Sequence, residues 1–195
     1  MWLALALAAV AAPPGWKVTQ LDASGCELSL GPAEADGTVP MRAECVWPEI
    51  SLENFKTKLA KFGDHDDYFT SVVRSDVKET NGADTLVHQE HQAGGISNRE
   101  VLLWMSHTTV DGYERYGWKK ADNRTLTPAS ANVATTKDDG YWQAKTEGTG
   151  VRVVHVLSYA PGGSVPGFIV RWFQTSGLAT NCQELRDSLK NGTKY

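Results

Sequence analysis

Hydrophobic and polar residues alternate with a period of two over most of this chain and switch to helical spacing twice. The first alternating runs are "GWKVTQL" and "CELSL", with a Gly-bearing turn at Ala23-Ser24-Gly25 between them. "TVPMRAECVW" follows, with Pro40 near its start, where an edge tolerates it. Ser51 then stands where it can cap a helix with apolar positions Leu52, Phe55, Leu59 and Phe62, and Gly63 stops it. Beyond the acidic loop "GDHDDY", "FTSVVRSDVKE" and "DTLVHQEHQ" pair about Asn81-Gly82. "REVLLWMSHTTV" and "YERYGWKKA" pair about Asp111-Gly112 in the same way. "NVATTKD", "GYWQAKTE" and "VRVVHVLSY" read as further strands, and connections this short predict an antiparallel meander.

From Val165 the spacing turns helical. Val165, Phe168, Ile169, Trp172, Phe173, Leu178, Cys182, Leu185 and Leu189 form one wide apolar stripe, and Pro166 suits a first helical turn. About twenty-five residues at helical rise make a rod of about 35 Å, long enough to cross a small sheet. The α+β architecture that uses these parts is a curved antiparallel β-sheet wrapped around one long C-terminal helix. A bent sheet and a straight rod do not close-pack everywhere, and an apolar gap between them is a ligand cavity.

Composition acts mainly by exclusion. At 195 residues, 41% hydrophobic and 22% charged, the chain is one ordinary globular domain. Its net charge of −4, with nothing more basic than Lys119-Lys120, excludes a nucleic-acid partner. Trp2 to Ala12 is uncharged, too short to span a bilayer, and ends in small residues before two prolines. Residues 1–12 therefore read as a secretory signal peptide, a packed or disordered tail being the alternative, with the folded domain over residues 13–195. Folding "CELSLGPAEADGTVPMRAEC" about its turn-rich tip sets Cys26 opposite Cys45, where a disulfide and two buried thiols both remain open; Cys182 reads as a core thiol.

Four stretches, taken in order, resemble the START domain, the lipid-transfer branch of the helix-grip (SRPBCC) superfamily. They are "GWKVTQLDASGCELSL", "VPMRAECVWPEISLENFKTKLAKF", "LVHQEHQAGGISNREVLLWM" with its Arg99-Glu100 pair, and "GTGVRVVHVLSYAPGGSVPGFIVRWF", the most specific of the four. Tyr159 and Ala160 stand where the family often places an aspartate, and Met105 stands where some members carry a cavity arginine, which implies a more apolar ligand. Both alternating sets of the last strand are largely apolar, and it is the resemblance that turns Val153, His155 and Leu157 inward. It likewise turns Val101, Leu103, Met105 and His107 inward, leaves Trp104 outside, and brings Phe168, Ile169 and Trp172 down from the helix. For each of these residues ordinary core packing is the rival reading.

The resemblance implies a monomeric protein that sequesters or transfers a hydrophobic molecule such as a lipid, in transient contact with a membrane surface and without a cofactor, and the signal-peptide-like N-terminus makes it an exported one, periplasmic or extracellular. A helix-grip enzyme of polyketide cyclase type, with His107 and His155 in acid–base roles, and a packed interaction module are the alternatives. Metal chemistry has little support. His88 and His91 in "HQEH" are three apart on a strand and face oppositely, and "GDHDD" lacks calcium-loop spacing and reads as solvated. No Gly-x-Ser-x-Gly, P-loop or paired-cysteine zinc motif occurs.

Overall fold

The structure, a computed structural model, describes residues 12–21, 25–92, 94–165, 167–172 and 176–191, with residues 20, 21, 168, 171 and 172 described by backbone alone. Among these residues the strands are β1 (Lys17–Leu21), β2 (Cys26–Leu30), β3 (Met41–Trp47), β4 (Val72–Asn81), β5 (Asp84–His91), β6 (Arg99–Val110), β7 (Tyr113–Lys120), β8 (Val133–Ala134), β9 (Lys137–Glu147) and β10 (Gly150–Ala160). They form one curved sheet in the order β1-β2-β3-β10-β9-β7-β6-β5-β4, antiparallel throughout except where β8 pairs in parallel with β6. Helices are α1 (Leu52–Leu59), α2 (Gly167–Trp172) and α3 (Leu178–Asn191). The fold class is α+β helix-grip. None of the described helices is long and apolar enough to cross a membrane.

Local chemistry accounts for most boundaries. Ser51 Oγ accepts from the Asn54 amide at 3.1 Å and starts α1. That helix ends earlier than its apolar spacing predicts: Phe62 belongs to a separate 3-10 turn, Phe62–Asp67, which buries His65 while Asp64, Asp66 and Asp67 keep contact with solvent. The predicted strand "NVATTKD" divides into β8 and the start of β9, and "GYWQAKTE" continues β9, because Asp139-Gly140 extends the ladder opposite Ser158 and Leu157 rather than turning. The C-terminal rod begins at Gly167, not Val165, and is described as two helical segments; Phe173 lies outside the described residues.

Cys26 and Cys45 are directly opposed partners across β2 and β3 and are joined by a disulfide, which leaves Cys182 buried on α3 outside that bridge. The main core gathers here. Leu178, Cys182, Leu185 and Leu189 of α3 pack with Leu28, Ala43, Cys45, Trp47, Val151 and Val153 of the sheet. Arg186 and Lys190 pair with Glu49 at 2.7 and 2.8 Å and hold α3 on this side.

The Arg99-Glu100 pair has structural work. Arg99 donates to the Pro161 and Gly162 carbonyls at 3.4 and 3.5 Å, fixing the turn that leads into α2. Gly162 is needed there: its φ is 72°, and a Cβ would stand 2.3 Å from the Ala134 carbonyl oxygen. Glu100, buried on the outer face, accepts from the Ala129 amide and from Asn132 and His88, which ties residues 129–132 to the sheet. Trp104 also faces out, and its Nε1–H donates to Asn123 at 3.0 Å.

Candidate functional site

Across the inner face the ladder sets Met105, Trp118, Gly140 and Leu157 in one row and Tyr116, Trp142 and His155 in the next. α3 covers the β2–β3–β10 side, and the sheet bends away from it over β5, β6, β7 and β9. That leaves a cavity of about 100 Å³. Its wall shares Ser71, Gln92, Leu157 and Asn181 with a groove of about 350 Å³ that runs past Met41 to Gly177 and Leu178 at the start of α3. The cavity alone is below the range of about 300–1,000 Å³ usual for ligand pockets; with the groove it lies within it.

The expected ligand-contacting residues separate into groups. Met105, His155 and Leu157 line the cavity. Val101 and Leu103 do face inward but are buried beside it in a small cluster with Val87. Val153 belongs to the solid core under α3, and Ile169 is buried away from the cavity wall. The side chains of Phe168 and Trp172 lie outside the described residues. His107 is a correction. It stacks on the inward Tyr116, yet it sits beyond the hollow, 43% exposed, with Nε2 2.6 Å from Glu114. Alternation sets the face of a strand residue but not how far along the sheet the cavity reaches. The pairing of His107 with His155 that acid–base chemistry would need is therefore not assembled.

Sequence reasoning missed the rest of the wall, which includes His65, Gln89, His91, Trp118, Asp138, Trp142 and Tyr159. Part of it was legible: if His88 and His91 face oppositely, Gln89 and His91 share a face. Three of the chain's five histidines and one aspartate thus meet in a largely aromatic chamber.

Hydrogen bonds fix their tautomers. Ser75 Oγ–H donates to the Phe62 carbonyl at 2.8 Å, so Ser75 must accept from Gln89, 2.9 Å away, and the amide nitrogen is on that side. The same nitrogen donates to His65 Nδ1 at 3.1 Å, which leaves the His65 proton on Nε2. Gln89 Oε1 accepts from His91 Nε2–H at 3.0 Å, which leaves His91 Nδ1 bare. His155 Nδ1–H donates to the Tyr141 carbonyl at 3.1 Å while its ring stacks on Trp142 at 3.7 Å, so its Nε2 is a lone-pair acceptor. His65 Nε2 and His155 Nε2 find no partner among the described residues. Unmet buried groups of this kind cost about 1–3 kcal/mol each.

Burial keeps the three histidines of the chamber uncharged at neutral pH. It pushes His65, His91 and His155 down to about 4, the neighbouring His91 adding to the effect on His65. It pushes Asp138 up to about 7, opposed by the indole N–H of Trp118, which donates to Asp138 Oδ1 at 2.7 Å. His91 Nδ1 stands 3.8 Å from the other Asp138 oxygen. Gly140 makes this possible, since a Cβ there would stand 2.7 Å from the Trp118 ring and 2.5 Å from the Val156 carbonyl. The bare backbone lets the indole lie across β9 and reach Asp138.

No protein-family model matches the chain, and no curated protein does. Solved structures do. Human StAR-related lipid transfer protein 5 matches with a TM-score of 0.82 at 12% identity, covering 93% of this chain and 89% of that one. A STAR-related lipid transfer protein from Xanthomonas axonopodis matches at 0.78 and 17% identity, covering 91% of this chain and 99% of that fragment. The Zhui aromatase/cyclase from a Streptomyces species is more distant, at 0.55 and 9% identity over 77% of this chain and 94% of its own. At these identities the likeness is one of fold. The chain has the helix-grip fold of these StAR-related lipid transfer structures.

Proposed function

We propose that this chain is a non-catalytic carrier that binds a hydrophobic molecule, lipid-like in character, for sequestration or transfer. The observation that carries the reading is the hollow itself: the sheet is packed solid under α3 yet leaves an aromatic chamber over β5–β9 that continues into a groove lined by Met41, Leu157 and Leu178. Two neighbours in fold are described as lipid transfer proteins, which supports the same reading. The small chamber suits one end of a ligand and the groove its apolar body. Each large apolar group desolvated there contributes roughly 1.5–3 kcal/mol. Loading proceeds past Gly177 and Leu178, where the groove reaches α3, during transient contact of a monomer with a membrane surface. The apolar run Trp2–Ala12, outside the described residues except for Ala12, and the Cys26–Cys45 disulfide support export.

Native mass spectrometry of protein purified without detergent tests this directly. A co-purifying lipid, or uptake of one from labelled vesicles, is the expected result; an empty protein that takes up nothing contradicts it. A second reading, an enzyme working in the same chamber, is favoured by the approach of Asp138 to His91 and by the aromatase/cyclase neighbour. Turnover of a polyketide-like substrate that disappears in Asp138→Asn would establish it instead.

A further inference from the structure

The polar groups of the chamber define what the buried end of a ligand can be, given the reading above that the hollow holds an apolar molecule. No lysine or arginine lines the chamber among the described residues, so an anionic head meets no counter-charge there and meets Asp138 besides. The two unpartnered nitrogens differ in kind. His65 Nε2–H can only donate, and neutral His155 Nε2 can only accept, because each of their Nδ1 atoms is committed, one to Gln89 and one to the Tyr141 carbonyl. A carboxylate or phosphate could answer only His65. Of these two nitrogens an ammonium could answer only His155; Asp138 and His91 Nδ1 offer it further acceptors, but it would have to carry its charge out of water, a cost that pairing in a buried site need not repay. A hydroxyl can answer either, and it does so without bringing charge into the chamber.

We propose that the chamber selects apolar molecules whose buried end is an uncharged hydroxyl, hydrogen-bonded to His155 Nε2 or His65 Nε2, over the same chain ended in a carboxylate, a phosphate or an ammonium group. The rest of such a molecule lies along the groove past Leu157 and Leu178.

A displacement assay on the full chain at pH 8 tests this, with a fluorescent fatty probe and a matched panel of dodecanol, dodecanoate, dodecyl phosphate, dodecylamine and dodecane. Dodecanol is expected to bind about tenfold more tightly than each of the others. In His155→Phe or His65→Phe, which keep a flat ring and remove the nitrogens, the ratio of dodecanol to dodecane affinity is expected to fall by about tenfold. Because that ratio is measured within one variant, a general loss of folded protein cannot imitate it. An acid, phosphate or amine that binds as well as the alcohol overturns the proposal. So does an alcohol no better than the alkane, or a ratio that neither substitution moves. Failure of the whole panel and of the probe to bind at all would instead remove the carrier reading on which the proposal rests.

Discussion

The two ends of β10 lie in different environments. Val151 and Val153, beside the Cys26–Cys45 bridge, press against the apolar side of α3 in a close-packed core. His155, Leu157 and Tyr159, further along the same strand, face a chamber whose wall mixes aromatic rings with hydrogen-bonded polar groups. On the proposed function, one strand thus serves both stability and recognition. The difference comes from what lies opposite: α3 brings Leu178, Cys182, Leu185 and Leu189 into the core with Val151 and Val153 and presents the polar Asn181 to the chamber.

Damage to the full half should show first in stability. Leu185→Ala removes a fully buried side chain there and should cost about 2–5 kcal/mol, read as a fall in midpoint on chemical denaturation. Its ligand preference should remain unchanged, and a change in preference at unchanged stability would contradict the division. Gly140→Ala addresses the hollow half. A methyl group would collide with Trp118 and the Val156 carbonyl, cost about 1–3 kcal/mol, and pull the indole from Asp138. Probe binding should fall with it, and near-UV circular dichroism should report the displaced tryptophan.

The smallest effect concerns pH. Asp138, faced by Trp118, His91, Tyr159 and Asp139, is raised from 3.8 to about 7, so its contribution to stability is full below 3.8 and lost as pH rises toward 7. His65, His91 and His155 are lowered from 6.5 to about 4, so theirs is full above 6.5 and lost as pH falls toward 4. Three groups outweigh one, and Tm should fall between pH 6.5 and pH 4. Asp138→Asn removes the opposing contribution. It should raise Tm at pH 8 by about 5 °C and make the acid fall steeper. A variant with an unchanged pH profile would show that Asp138 does not sit in the chamber as described.

The sheet and its final helix were legible because alternation, hairpin turns and the 3.6-residue stripe are local properties of the chain. The resemblance in four ordered stretches added the topology. The site was legible only in part. Met105, His155 and Leu157 follow from the facing of two strands, but the same rule also offered His107, which shares the face and lies past the end of the hollow. His65 was hidden in an acidic run with no period, since its burial arises from Phe62, Tyr68 and Phe69 closing around it. Asp138 was hidden by Asp139-Gly140, which looks like a turn in sequence and is mid-strand because an indole needs the space. Both depend on neighbours remote in the chain, which no local pattern encodes.

The most direct test of the account is probe binding by Leu157→Trp, measured beside its thermal unfolding. Leu157 belongs to the walls of both the chamber and the groove and packs on the edge of the main core from a half-buried position, so an indole there can fill the hollow while the fully buried residues under α3 keep their places. The account predicts at least about a tenfold loss of affinity with Tm held within about 3 °C of the parent. Parental affinity in a folded variant would place the ligand somewhere other than this hollow.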